Sequence, residues 1–552
     1  MPSRSLDYAR AIASGVLLAL SFPKYGHPAV GWIALAPLLV ALAGGESRIP
    51  NPRSRPLRRA FVLGLITGVI YFTGTLYWIT RVMVMYGDLQ LWVAVLVNAA
   101  LVAYLALFPA IFALVVRRVV MALGQQTLMA APLVWVATEL GRTHLFTGFP
   151  WVLLGYSQTP VLPIAQLASL FGVYGVSMLV ASVSAALAVV AAGTGSAKAV
   201  SYLRSGDAPS GPTHAGPRLT GTEYVGRPRF KGAERFGPLV VTSAILMALA
   251  AWGSRRAAAS EWSRAGEAIR VGLIQGNVSL GERSDPARGS VIFDNYLRMT
   301  RQAIREGAEF VIWPESATPF RFEEDPVSAG RIRTLARQAR VPILFGSDQM
   351  ERVAGGLPAR YYNSAFLVRA DGTTGAAYRK MHLVPFGEYV PAKRVFFFAA
   401  PLVEAVSDFS AGESTVLLPI DGHPISTSIC YEVVYPDLVR RSVAAGSELL
   451  TTITNDAWFG LTSAPYQHFE QASMRAIEEG RYLVRSANTG VSGIVDPYGR
   501  VLERTSIYQP AVLVGEARFL RTSTFYARHG DVLPYASVVM TALLLVVRRR
   551  VK

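Results

Sequence analysis

Glu315, Lys380 and Cys430 are residue types that together can run covalent acyl chemistry, and each stands at the end of an expected strand or in the loop beyond one. Glu315 ends EFVIWPE (309–315), Lys380 sits in AAYRKMHLVPFGEYVP and Cys430 lies in ISTSICYE (425–432). Open α/β sheets hold their ligand chemistry at such strand ends. A cysteine attacks as the thiolate, which a neighbouring ammonium stabilises. A partly buried carboxylate can take the thiol proton and return it to a leaving group. The Lys380 charge would stand by a developing oxyanion, beside a backbone N–H such as that of Tyr431. Each residue also has a plain reading: Cys430 as a small buried hydrophobe, Glu315 as a surface carboxylate, Lys380 as a solvated loop residue.

Cys430 is the only cysteine, so an intramolecular disulfide and the two-cysteine zinc and redox motifs are excluded. The seven histidines are scattered without paired ligand spacing, and neither metal nor cofactor is expected. Glu388 follows Lys380 by eight residues and Glu432 follows Cys430 by two. A carboxylate near Lys380 would fix its ammonium and tune Glu315; structural charge pairing is the other reading of both.

The elements that must position these groups lie between 268 and 518, where short β-branched runs alternate with amphipathic stretches, as in an α/β domain. Strands are expected at 268–276, 309–315, 341–347, 361–368, 425–432, 449–456, 481–487 and 492–497, and helices at 290–306, 328–340, 436–446 and 466–480.

The rest of the chain has a different character. Of 552 residues 51% are hydrophobic and 16% charged, against roughly a quarter charged in ordinary soluble proteins. Disorder is excluded over most of the length, and a membrane protein is the leading class. Apolar runs approaching the roughly 20 residues a bilayer requires lie at 6–22, 29–44, 59–80, 90–116, 125–141, 164–192, 238–253 and 532–547. About eight spans are expected: a membrane domain over 1–253 with seven helices, an outer α/β domain over 254–531, and a closing helix with a basic tail over 532–552. A signal peptide over 1–22 is the poorer reading, since no small-residue cleavage site is evident.

Charge orients these spans. With both termini cytoplasmic, segments 1–10, 45–58, 117–124, 193–237 and the tail carry 19 Lys and Arg, while the outer links 23–28, 81–89 and 142–163 carry three. Positive-inside bias therefore accounts for much of the net charge of +17, and no nucleic-acid partner is required. Segment 193–237, rich in Gly, Pro, Ser and Arg, reads as a flexible cytoplasmic loop. Tyr77, Trp78, Trp92 and Trp252 fall at outer span ends, where aromatic rings favour the interface. Glu139 and Arg142 admit a local ion pair or a functional intramembrane carboxylate, the pair being preferred.

VIWPES, YRKMHLVPFGEYVP, SICYEVVYPD and NDAWFG resemble motifs of the nitrilase, or carbon–nitrogen hydrolase, superfamily, whose catalytic Glu, Lys and Cys occur in that chain order. The resemblance implies an αββα sandwich. It places Glu315 as general base and acid, Lys380 as oxyanion partner, Cys430 as nucleophile, and Glu388, Glu432 and the Tyr431 N–H in support. With seven spans before the sandwich and one after it, and with GFPWVLLGYSQ (148–158), IQGN (274–277) and the segment 463–500, the whole chain is similar to the apolipoprotein N-acyltransferase family.

That resemblance implies transfer of an acyl chain from a phospholipid, through a Cys430 thioester, to the α-amino group of a diacylglyceryl-modified N-terminal cysteine on an apolipoprotein. The setting implied is the outer face of a bacterial inner membrane. A membrane-tethered amidase or nitrilase acting on a small soluble substrate is the alternative. One departure is visible: where the family commonly has a Trp after its Gln-Gly-Asn motif, this chain reads VSLGERSDP, with Ser284 near that place. VFFFAAPLV (395–403) reads equally as a cover for the site, a segment dipping into lipid, or ordinary core.

Overall fold

The computed structural model describes residues 2–44, 54–87, 89–204, 235–353, 358–390 and 409–546. VFFFAAPLV, most of segment 193–237 and the basic tail lie outside the described residues.

Each of the eight apolar runs contains helix. Among the described residues four helices are long and apolar enough to cross a membrane, Pro56–Leu76, Leu91–Leu123, Ala168–Ala192 and Gly237–Arg264, while Pro28–Ala43 and Val532–Val546 are shorter apolar helices. The run at 29–44 is broken at Leu35 into Pro28–Ala34 and Ala36–Ala43, each opening with a proline in its first turn, where a missing N–H does no harm. The remaining two are Pro2–Ala19 and Ala131–His144. The helix that opens at Ala168 continues to Arg204, into the segment whose composition reads as loop. Helix therefore stands over 193–204 where loop was expected: Ala197, Lys198, Ala199, Leu203 and Arg204 are good helix formers that carry it past Gly193 and Gly195.

Among the described residues the α/β part holds two six-stranded sheets. The first contains β1 (Glu267–Gln275), β2 (Phe310–Ile312), β3 (Ile343–Glu351), β4 (Arg360–Val368), β5 (Tyr378–Arg379) and, last in the chain, β12 (Ala511–Phe519), in the order β12-β1-β2-β3-β4-β5. The second contains β6 (Leu418–Ile420), β7 (His423–Ile429), β8 (Leu449–Thr454), β9 (Leu483–Ala487), β10 (Gly493–Val495) and β11 (Val501–Arg504), in the order β11-β10-β9-β8-β7-β6. In each sheet three central strands run parallel, β1-β2-β3 and β7-β8-β9. Four strands, β5, β6, β11 and β12, were not expected. Two of these are only two and three residues long, too short for any alternation to register.

Period-two alternation sorts the strands' side chains between layers. Ile269, Val271 and Leu273 of β1, Leu344 of β3 and Leu367 of β4 meet Ile425, Ile429, Ile453 and Val484 between the sheets. Their neighbours Ile274, Ile343, Phe345 and Phe366 face outward, where the helices Gly289–Arg305 and Pro326–Ala339 cover them with Phe293, Tyr296, Ile332 and Ala336. The second sheet is covered by Pro436–Ala444 and Ala464–Glu479. That helix layer packs in one continuous apolar core with the N-terminal helices, so the αββα sandwich docks on the membrane domain through its own outer layer.

Candidate active site

Cys430 follows directly on β7 and takes φ +53°, a left-handed conformation in which a non-glycine residue is strained. Glu315 lies just past β2, and the next residue, Ser316, is also left-handed with φ +48°. That turn presses on β3: a Cβ at Gly346 would stand 2.3 Å from the Ser316 nitrogen and 2.7 Å from the Glu315 Cα, so only glycine fits there. Lys380 follows β5 directly, with its N–H donating to the Asn363 carbonyl on β4 at 2.9 Å. All three residues are buried.

The polar groups form one network. Lys380 Nζ stands 2.9 Å from Glu388 Oε1 and 3.5 Å from Glu315 Oε1. Asn363 Nδ2 donates to the same two oxygens, at 3.0 Å to Glu388 and 2.8 Å to Glu315. The second oxygen of Glu315 accepts the backbone N–H of Asn455 at 2.8 Å, and that of Glu388 accepts the N–H of Val384 at 2.8 Å. Burial by itself would lower Lys380, but the carboxylates of Glu388 and Glu315 more than reverse it and hold the ammonium charged. Burial pushes the Cys430 thiol well up, Glu315 adds to that, and Lys380 opposes it. The resting cysteine is a thiol, and attack needs a base that removes its proton.

Glu432 is fully buried and serves the backbone. One oxygen accepts from Tyr378 Oη at 2.8 Å and from the N–H groups of Met381 at 2.7 Å and His382 at 3.1 Å; the other accepts from the N–H of Ile429 at 2.7 Å. It ties the turn after β7 to the loop after β5, holding Cys430 and Lys380 in register, while burial pushes its carboxyl up to about 7 against the opposing pull of the Ile429 N–H, the Lys380 charge, the His382 N–H and the Tyr378 hydroxyl. The structural reading of Glu432 is the one its contacts support. Glu388, by contrast, touches Lys380 itself.

The wall behind Cys430 comes from both halves of the chain. The Tyr431 ring stacks on Trp151 with centroids 6.3 Å apart and lies 6.4 Å from Phe149, and Tyr435 Oη donates to the Gly148 carbonyl at 3.0 Å. The segment expected as an outer link is thus buried from Trp151 to Thr159. Glu139 and Arg142 do not form the expected direct pair. Glu139 Oε1 accepts from the Leu154 N–H at 2.7 Å and from Trp135 Nε1 at 3.0 Å, and Arg142 donates to the carbonyls of Trp151 at 2.7 Å and Val152 at 3.3 Å. Both side chains find nearer partners in the unpaired backbone of that link, which must be satisfied where water is excluded. Trp78, expected in an interfacial belt, is buried against Trp151 at 5.3 Å and Phe459 at 4.9 Å.

The structure therefore brings Glu315, Lys380, Glu388 and Cys430 together, with Tyr431 and Glu432 adjoining. Two members of the network, Asn363 and Asn455, were not singled out beforehand. An Asn inside the largely apolar strand YYNSAFLV and the first residue of NDAWFG were the available signals. Ser284 closes the short helix Leu280–Ser284, whose first turn carries a Ser279–Glu282 capping box. Among the described residues no group of three or more His, Cys, Asp or Glu could hold a metal ion.

An apolar helical domain carrying an αββα sandwich with carboxylate, lysine and cysteine at its strand ends defines a membrane-embedded member of the carbon–nitrogen hydrolase superfamily. Residues 270–520 match the carbon–nitrogen hydrolase family, and residues 14–186 match the apolipoprotein N-acyltransferase N-terminal domain. The chain is 39% identical over 543 residues to the apolipoprotein N-acyltransferase of Geobacter metallireducens, covering 98% of this chain and 94% of that one. It is 33% identical to the corresponding protein of Methylococcus capsulatus, covering 94% and 92%. The chain belongs to the apolipoprotein N-acyltransferase family. Among solved structures, a nitrilase-superfamily amidase from Nesterenkonia is 22% identical over 49% of this chain and 94% of its own, with a TM-score of 0.36.

Proposed function

We propose that the protein moves an acyl chain from a phospholipid to an apolipoprotein by two successive acyl transfers at Cys430. The observation that carries this reading is the buried Lys380–Glu315–Glu388 network beside a strained cysteine, walled by residues of the membrane domain. In the first transfer Glu315 takes the thiol proton as Cys430 sulfur attacks the ester carbonyl. The carbonyl oxygen gains charge that Lys380 and the Tyr431 N–H offset. The C–O bond breaks, Glu315 gives the proton to the departing alkoxide, and lysophospholipid leaves a thioester on Cys430.

In the second transfer the neutral α-amine of a diacylglyceryl-modified N-terminal cysteine attacks that thioester. Glu315 takes the amine proton, the C–S bond breaks, and the proton returns to sulfur. Product is the amide, and the kinetics are ping-pong. Glu388 keeps the ammonium of Lys380 in place, and Glu432 supports the two loops. Packing of the site against the membrane domain favours lipid substrates and limits water, which would otherwise hydrolyse the thioester.

The proposed layout is a membrane domain over 1–253, a catalytic domain over 254–531 on the outer side of a bacterial inner membrane, and a closing helix over 532–552, with both termini cytoplasmic. The charge asymmetry supports it. Incubating the purified protein with phospholipid vesicles of one defined acyl chain tests the function. The peptide bearing Cys430 should gain the mass of that acyl group, and adding a diacylglyceryl peptide should discharge it. An unlabelled protein that hydrolyses small amides would establish the alternative, a membrane-tethered carbon–nitrogen hydrolase.

A further inference from the structure

A second buried charged cluster lies behind the Cys430 turn. His468, on the helix Ala464–Glu479, places Nε2 3.2 Å from the backbone carbonyl oxygen of Cys430. A carbonyl oxygen can only accept, so Nε2 carries a proton and donates it. Nδ1 lies 3.0 Å from both Arg485 Nη2 and Asp456 Oδ1. Arg485, on β9, also donates to Asp456 Oδ2 at 2.9 Å, and Thr454 at the end of β8 donates to Asp456 Oδ1 at 2.9 Å. His468, Asp456 and Arg485 are all fully buried. Two buried ionisable side chains, Asp456 and Arg485, thus hold a third, His468, against the peptide oxygen of a strained residue.

That oxygen belongs to the same peptide group as the Tyr431 N–H. A peptide unit is planar, and in its trans form the C=O and N–H point in opposite directions. Tyr431 is the second residue of a short helical turn, Cys430–Val434, and so has no intrahelical acceptor for its N–H. Holding the Cys430 oxygen back on His468 turns the Tyr431 N–H the other way, toward the substrate side of the turn. With φ of Cys430 at +53°, the peptide is outside its ordinary basin and needs a fixed anchor to stay there.

We infer that His468, held by Asp456 and Arg485, is a positioning residue that sets the Cys430–Tyr431 peptide so that its N–H faces the developing oxyanion. The inference rests on the function proposed above. In that scheme both transfers pass through an oxyanion at the same place, so His468 serves both.

The test uses the full-length protein in phospholipid nanodiscs. His468→Phe keeps a ring against Trp151 and Phe459 and removes the N–H; His468→Gln retains an N–H near the Nε2 position. For His468→Phe, kcat for acyl transfer should fall roughly 10²–10³-fold, as on loss of one oxyanion donor, with KM for phospholipid within about threefold. Alkylation of Cys430 by iodoacetamide, a displacement that forms no oxyanion, should stay within about twofold of the parent rate. His468→Gln should recover transfer to within about tenfold of the parent. Near-native kcat in His468→Phe would overturn the inference. So would alkylation falling in step with transfer, because His468 would then hold the cysteine and not the N–H. If the Phe variant does not fold, the flexible His468→Met variant takes the same measurements. Cys430→Ala separates the two levels: transfer persisting there sinks the proposed function, whereas a dead Cys430→Ala beside an active His468→Phe sinks this inference alone.

Discussion

Trp151 lies stacked on Tyr431, with ring centroids 6.3 Å apart and planes 21° from parallel. A residue of the membrane domain thereby forms the wall behind the residue that follows the proposed nucleophile. The Trp151 indole N–H also donates to Gln467 Oε1 at 2.8 Å, which couples that wall to the helix carrying His468. Trp151→Ala should cost about 3–5 kcal/mol, as for other fully buried large-to-small changes, and should lower acyl transfer further than the stability loss explains. Thermal unfolding and transfer assays on the same nanodisc sample check it, and a variant with parent stability and rate would contradict the shared wall.

Asn363 donates to Glu315 and Glu388 together, so its replacements should differ by charge. Asn363→Leu removes two hydrogen bonds to carboxylates, each worth about 1.5–3 kcal/mol, and should slow transfer at every pH. Asn363→Asp adds a third carboxylate to the cluster, and that group would be raised by its neighbours. Its protonated form can still donate to one carboxylate, so the Asp variant should be more active near pH 6 than near pH 8. A pH profile parallel to the parent's would count against the network.

Because burial, and then Glu315, push the Cys430 thiol up while Lys380 pulls it down, alkylation of the parent should be slow at neutral pH and rise with pH beyond the ordinary thiol range. Lys380→Met removes the one opposing charge. Its alkylation curve should move to still higher pH while acyl transfer is abolished, and a shift to lower pH would place Lys380 elsewhere than beside the thiol.

His423 joins the two sheets where β7 and β1 begin: Nδ1 lies 2.6 Å from Glu448 and Nε2 3.2 Å from Glu267, with the ring stacked on Phe519 at 4.1 Å. Burial would lower its pKa, but the two carboxylates raise it overall. A raised histidine stabilises the fold in its charged form, fully so below its ordinary value near 6.5, and the contribution fades as pH climbs through the folded value. The difference in melting temperature between the parent and His423→Gln should be largest near pH 6 and smallest near pH 9. An unchanging difference would show that the pairing adds nothing.

Orientation has its own readout. A reporter active only outside the cytoplasm should signal from an insertion within 254–531 and stay silent when fused after residue 552. The opposite pattern would reverse the proposed topology while leaving the chemistry at Cys430 intact.

Much of this molecule was legible residue by residue. Alternation in β1, β3 and β4, the amphipathic helices between strands, and the apolar runs all follow from local periodicity, which is why their places agree with the structure. Strands β5 and β6 were missed because two or three residues carry no period. Glu139 and Arg142 were misassigned because nearness in sequence suggested a mutual pair, whereas the backbone of the link 151–154 offered each a closer partner. Asn363 shows in the sequence only as a polar residue within a strand, and its partners are set once β4 is laid beside β5 and the strand ends converge.

The sequence by itself therefore determined the residue types, Glu315, Lys380 and Cys430, the places of Glu315 and Cys430 at strand ends, and the division into apolar and α/β parts. Only the tertiary structure decided that Asn363 and Asn455 complete the carboxylate network, that Trp151 walls the site, and that His468 grips the Cys430 carbonyl. The physical reason is range: periodicity and strand ends are local properties of the chain. A hydrogen bond between residues 38 apart, or a ring stack between residues 280 apart, exists only once packing has brought the elements together.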